Sequence, residues 1–144
     1  MAYKNIKNKK VHYEYTFIDE YIAGIQLLGS ETKFIREGYA DLIDSYCYIQ
    51  RNELFLKGLH VHQGTKSHNH EPNRDKKLLL KKSEIKALQK GLVKGTTIVP
   101  IEILQINGRF KCRLALSKGK KDWDKRQTIK DRDSKREMER ELKG

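Results

Sequence analysis

The sequence predicts a mainly β protein, an OB-type closed β-barrel with short added helices and a basic C-terminal tail. Three observations carry this reading. Stretches of alternating, aromatic or β-branched residues recur as about six strands. Two short helices interrupt them, without the regular strand–helix alternation of a parallel sheet. So many strands in one small domain favour closure, because a closed sheet has no unpaired edge.

The elements follow in order. Residues 1–10 carry Lys4, Lys7, Lys9 and Lys10 and no acid, which predicts a basic flexible arm that orders on a partner. "HYEYTFIDEYIAGIQLL" has strand composition. Gly29 and Gly38 bracket "SETKFIRE", a short helix with Ser30 as N-cap and with Lys33 and Arg36 on one face. "SYCYIQ" and "ELFLKGLHVH" read as strands joined by a hairpin turn at Asn52, the second broken near Gly58. Residues 63–75 are a polar loop. In "KKLLLKKSEIKALQKG" a basic pair precedes a helix capped by Ser83, with Ile85 and Leu88 as its apolar face and its end at Gly91. The last strands, "GTTIVPIEILQI" and "RFKCRLAL", meet at the Asn107–Gly108 turn, and Pro100 marks an edge position or a bulge.

After Leu116 the pattern stops. Trp123, Ile129, Met138 and Leu142 do not recur at helical spacing, so a helix here has no continuous stripe to bury. The expected division is an arm over 1–10, a barrel over 11–116 and a tail over 117–144. The tail is disordered or marginally helical alone and folds on a polyanion.

Composition narrows the function. The 144 residues hold 31 basic and 19 acidic side chains, a net charge of +12, which points to nucleic acid, an anionic membrane or an acidic protein. No apolar run approaches the ~18 residues of a membrane span, and the N-terminus lacks an apolar signal region, so the expected location is the cytoplasm. Cys47 and Cys112 belong to no paired motif and read as buried thiols. His60 and His62 share one strand face, with His68 and His70 in the loop beyond. Their spacing is looser than that of zinc motifs and no cysteine adjoins, so neither a metal nor any other cofactor is expected. Asp19, Glu20, Asp41, Asp44 and Glu53 form no recognisable catalytic pair, and no nucleophile motif or nucleotide-binding loop is present, which argues against an enzyme.

Basic patches remain: the arm, Lys33 with Arg36, the run from Arg74 through Lys82, Lys111 with Arg113, and the tail. Tyr13, Tyr15, Tyr39 and Trp123 lie among them. Cations hold phosphates and aromatic rings stack unpaired bases, so among these partners the residues favour nucleic acid. For the tyrosines, packing within the strands is the competing role.

Three long blocks resemble a known family. "EYIAGIQLLGSETKFIREGYADLIDSY", "NHEPNRDKKLLLKKSEI" and "KGTTIVPIEIL…GRFKCRLALSKGKKDWDKR" are similar, in order, to the signature blocks of the small protein B family, the SsrA-binding proteins. The resemblance implies an OB-type barrel that binds the tRNA-like domain of transfer-messenger RNA and brings it to stalled ribosomes for trans-translation, without catalysis. It implies the ribosome as a second partner, with its decoding centre and mRNA channel, and elongation factor Tu through the same RNA. A monomer away from any membrane is expected.

Carried over by position, the implied RNA-facing residues are Asn8, Lys10, Tyr15, Lys33, Arg36, Asn69, His70, Arg74, Lys77, Leu79, Lys111, Lys118, Gly119, Lys120 and Lys121. The implied ribosome-binding tail includes Trp123, Asp124, Lys125, Arg126, Lys130 and Arg132. Leu79 is the one residue whose own chemistry reads as core. The chain departs from the family in Tyr13 for a usual His, Ile22 for a glutamate, Trp123 for Tyr or His, and Gln127 for Glu. The alternative reading of the residues is a generic OB-fold binder of structured RNA or a ribosome-associated factor.

Overall fold

The structure, a computed structural model, describes residues 5–62, 72–120 and 126. The elements run β1 (Ile6–Lys7), α1 (Val11–Glu14), β2 (Tyr15–Ile25), α2 (Gly29–Arg36), β3 (Ala40–Asp41), β4 (Tyr46–Gln50), β5 (Glu53–Lys57), β6 (His60–Val61), β7 (Lys76–Leu79), α3 (Lys82–Gly91), β8 (Thr96–Ile106) and β9 (Arg109–Gly119). The molecule is mainly β with three short helices among the described residues.

All pairings are antiparallel, in the order β1-β8-β4-β5-β7-β2-β9, and β9 pairs again with β8. The strands therefore run in a ring, with β1 and β4 sharing one edge of β8. The ring is uneven. β8 and β9 run side by side from Thr96↔Lys118 to Ile106↔Arg109, whereas β4 meets β8 at the single pair Cys47↔Ile98. β3 and β6 form a separate two-stranded sheet.

Period-two alternation explains the core. Tyr21 and Ala23 of β2 face inward with Cys112 and Leu114 of β9, and Leu54, Leu56, Leu78, Ile98 and Ile103 complete the cluster. A bulge between Pro100 and Glu102, paired with β9, breaks the register of β8. Pro100 thus marks a bulge, where a missing N–H is tolerated. A second bulge lies between Phe17 and Asp19. Beyond the bulges the outer face carries a small cluster of Val11, Val99, Ile101 and Ala115, covered by α1, Tyr15 and Phe17.

Both hairpin turns are where the sequence puts them. Arg51 and Asn52 have φ of 53° and 62°, and Asn107 and Gly108 have 51° and 77°, the left-handed pairs of type I′ turns. Gly58 breaks the strand at φ 93°, and a Cβ there would stand 2.8 Å from Ser45 Cα, so the position suits glycine on both counts. At the end of α2, Gly38 N–H donates to Ile35 O (3.0 Å) and Tyr39 N–H to Phe34 O (2.8 Å), a Schellman motif around Gly38.

Four expectations need correction. The N-caps are Leu28 and Lys81, not Ser30 and Ser83. The Glu31 and Glu84 carboxylates reach back to the Leu28 and Lys81 N–H groups at 2.8 and 3.1 Å, so the acid three residues on sets each start. Residues 11–14 are a helical turn rather than strand, because Lys10 O accepts from Tyr13 and Glu14 N–H. The arm is not flexible throughout, since Ile6 and Lys7 pair with Ile103 and Glu102 of β8. Finally, β9 continues past Leu116 to Gly119 because Tyr15, Thr16 and Phe17 supply pairing partners.

Candidate nucleic-acid interface

The outer face of β2, β7 and β9 joins residues far apart in sequence. Gly24 lies opposite Leu79 on one side and Lys111 on the other. A Cβ on Gly24 would stand 3.4 Å from Leu79 Cβ and 3.7 Å from Lys111 Nζ. The missing side chain therefore opens a depression of about 310 Å³, lined by Gly24, Leu79, Lys111, Thr32, Arg109 and Phe110 among others. Leu79 is 47% exposed, although the run Leu78–Leu79–Leu80 reads as core. Alternation in β7 sends Leu78 inward and Leu79 out. Lys111 makes no ion pair with a described residue. A free cation, an exposed apolar side chain and a bare backbone patch fit a phosphate beside an unstacked base. Thr32, Arg109 and Phe110 were absent from the sequence-derived set.

A second depression of about 450 Å³ lies toward the N-terminus, lined by Lys7, Asn8, Lys9, His12, Glu102 and Arg113 among others. Ile22, 53% exposed, lies between the two, because it opposes Arg113, two register pairs from Gly24↔Lys111 and on the same face. Arg113 is itself committed to Glu20 at 3.0 and 3.2 Å and to Glu102 at 3.7 Å. Lys33 and Arg36 are exposed on the last turn of α2, and Lys10 is exposed before α1. Lys118 and Gly119 are exposed at the end of β9, and Arg126 is exposed.

Several expected RNA contacts have internal work. Arg74 Nη2 lies 2.5 Å from Oε1 of Glu31, a fully buried carboxylate, and Lys76 Nζ lies 3.5 Å from its Oε2. Lys76, also fully buried, donates to Leu59 O at 2.9 Å. Burial pushes the Glu31 carboxyl up. The hydrogen bonds from Arg74 and Leu28 N–H and the charges of Lys76 and Arg74 outweigh it and hold the group below its usual range. Burial pushes the Lys76 ammonium down, against the upward pull of Glu31. Lys77 pairs with Glu53 at 3.3 Å. Asn8 donates through Nδ2 to Pro100 O and through its N–H to Ile101 O, both at 2.9 Å. Tyr15 packs on the outer cluster. Lys120 Nζ donates to His12 O at 2.8 Å and its N–H to Glu14 O at 2.9 Å, tying the end of β9 to α1. Asn69, His70, Lys121, Trp123, Asp124, Lys125, Lys130 and Arg132 lie outside the described residues.

The other chemistry is quiet. The His60 and His62 rings meet edge-on at 4.8 Å, and His60 Nδ1 shares a 2.7 Å hydrogen bond with Asn73 Oδ1. Among the described residues no group of three or more His, Cys, Asp or Glu could hold a metal. Burial pushes the Cys112 thiol up to about 12 and raises that of Cys47 too, so neither is a thiolate near neutral pH. No described helix is long and apolar enough to cross a membrane.

The comparisons agree over almost the full length. The family model described as SmpB protein matches residues 5–144. An SsrA-binding protein of Phocaeicola vulgatus is 45% identical over 144 residues, covering 96% of this chain and 95% of that one. One from Flavobacterium psychrophilum is 46% identical over 140 residues, covering 94% and 93%. One from Treponema denticola is also 46% identical over 140 residues, covering 95% and 91%. A solved structure described as "tmRNA-SmpB: a journey to the center of the bacterial ribosome" superposes with a TM-score of 0.69 at 34% identity, covering 82% of this chain and 85% of that one. With a match of this length and identity behind the three sequence blocks, the chain belongs to the SmpB protein family.

Proposed function

We propose that the protein binds the tRNA-like domain of transfer-messenger RNA, the SsrA RNA, and delivers it to stalled ribosomes for trans-translation. Its relatives are named for SsrA binding, and its structural neighbour is described with transfer-messenger RNA and the ribosome. The observation that carries the reading is the Gly24–Leu79–Lys111 depression. It brings Lys111 and Arg109, which make no ion pair with a described residue, and the exposed side chain of Leu79 to a place where backbone is bare. Such a site holds a phosphate and a splayed base and has no group that would break a bond. We read the protein as acting by binding rather than catalysis, in the cytoplasm with its RNA partner, in line with the SsrA-binding relatives it resembles.

The ring of strands is read as an OB-type barrel, with residues 117–144 leading from it into the ribosome. Trp123 and the cations around it are the part of that tail suited to stacking and phosphate contact. Lys111→Ala is expected to weaken binding to transfer-messenger RNA at least about fivefold at physiological salt. It should also lower the slope of log affinity against log salt by roughly one. An unchanged affinity would mean that this depression is not the contact. Sequencing the RNA that co-purifies with the protein tests the partner directly, and a mixture without enrichment of transfer-messenger RNA would overturn its identity.

A further inference from the structure

The outer face does not end at Leu79. Two residues earlier on the same face of β7 is Lys77, which lies opposite Phe55 of β5, and Phe55 lies opposite Tyr48 of β4. The Tyr48 and Phe55 rings are stacked, 5.3 Å apart and 21° from parallel, and Tyr46 adds a third ring 6.4 Å from Tyr48. Tyr48 is fixed by its hydroxyl, which donates to Asp75 Oδ2 at 2.7 Å. Tyr46 is 42% exposed.

Beside Phe55 is a depression of about 310 Å³ lined by Gln50, Arg51, Glu53 and Phe55. Its one carboxylate, Glu53, is neutralised by Lys77. Arg51 is exposed at the hairpin tip and makes no ion pair among the described residues. The tip itself is held, because Gln89 Nε2 of α3 donates to Asn52 Oδ1 at 3.1 Å. The depression thus combines a ring, an amide and a free guanidinium on a fixed hairpin.

We propose that the Phe55 ring and Arg51 form a second contact with the same RNA, the ring stacking an unpaired base in this depression and Arg51 holding an adjacent phosphate. The proposal rests on the transfer-messenger RNA reading above. Continuity selects that RNA as occupant, since Lys77 and Leu79 join the two depressions across one strand face. The stack of Tyr48 on Phe55 means that a base does not have to order the ring on binding, and aromatic stacking of this kind tolerates any base.

Two variants of the full chain test it against transfer-messenger RNA. Arg51→Asn suits the left-handed φ of 53° and removes the positive charge while keeping a polar side chain at the turn. It should weaken binding and lower the salt slope by about one. Phe55→Leu keeps an apolar side chain on the sheet and should weaken binding by about tenfold. If Phe55→Leu fails to fold, Arg51→Asn alone decides. If both bind like wild type while Lys111→Ala is weakened, the second contact is wrong and the functional reading stands. If Lys111→Ala also binds like wild type, the reading beneath fails with it. A loss seen toward ribosomes and not toward transfer-messenger RNA would overturn the choice of occupant.

Discussion

Lys111 and Gly24 carry the proposed contact with very little chemistry. Lys111 is a cation without a described acidic partner, and Gly24 lacks the side chain that would fill the space between Leu79 and Lys111, which is the room the proposed RNA contact needs. Gly24→Val should therefore weaken RNA binding by about tenfold, the value of one lost stack, while the unfolding temperature stays close to that of wild type. Its added atoms point to the solvent side, toward Leu79 Cβ and Lys111 Nζ. Affinity and thermal melts on the same sample separate the two effects. Ile22 has the opposite character. It puts an apolar surface between two cationic depressions, opposite Arg113, whose charge is already committed to Glu20 and Glu102.

At the scale of elements, a buried carboxylate fastens α2 to the sheet. Glu31 caps its own helix through Leu28 N–H and receives Arg74 and Lys76 from beside and within β7. Arg74→Ala would leave that carboxylate with one cation. Because Arg74 is partly exposed, the expected cost is about 2 kcal/mol, below the range for a fully buried pair. The pH dependence has a definite sign. The folded-state value of Glu31 is depressed, so its contribution is complete above the ordinary value of 4.5 and is lost as pH falls through the folded-state value. Melting curves from pH 7 to pH 3 should fall more steeply for wild type than for Arg74→Ala. Packing of α3 depends on Gly91 in a different way. A Cβ there would overlap Leu116 Cδ2, so Gly91→Ala should cost about 1–2 kcal/mol, measurable by denaturant unfolding.

At the scale of the molecule, the charge of +12 is divided between cations that hold the fold and cations left for a partner. Arg74, Lys76, Lys77, Arg113 and Lys120 have protein partners. Lys10, Lys33, Arg36, Lys111 and Lys118 are the more open group. Deleting residues 127–144 should leave affinity for transfer-messenger RNA within about twofold and abolish tagging on stalled ribosomes, as measured in a reconstituted translation system. Equal loss of both would contradict a tail that acts on the ribosome alone.

Local pattern was sufficient for much of this. Period-two alternation marks the long strands, Asn52 and Asn107–Gly108 mark the hairpins, and Gly38 marks the end of α2, because each is set by the backbone geometry of a few adjacent residues. Three features involve contacts across the chain. The Glu31 cap displaces Ser30 through the same local i,i+3 box that Glu84 makes at α3, and what the chain's folding adds is that Arg74 and Lys76 hold the Glu31 carboxylate. Leu79 is outside because the register with Gly24, rather than the run of three leucines, decides which of them faces the core. The basic run at 74–82 divides into structural and open cations because its partners, Glu31 and Glu53, lie more than twenty residues earlier in the sequence. By itself the sequence determined the strands, the turns and a basic RNA-binding chain of this family. The tertiary structure alone decided which of the described cations are held by protein partners, because pairing depends on distance in space and not on spacing along the chain.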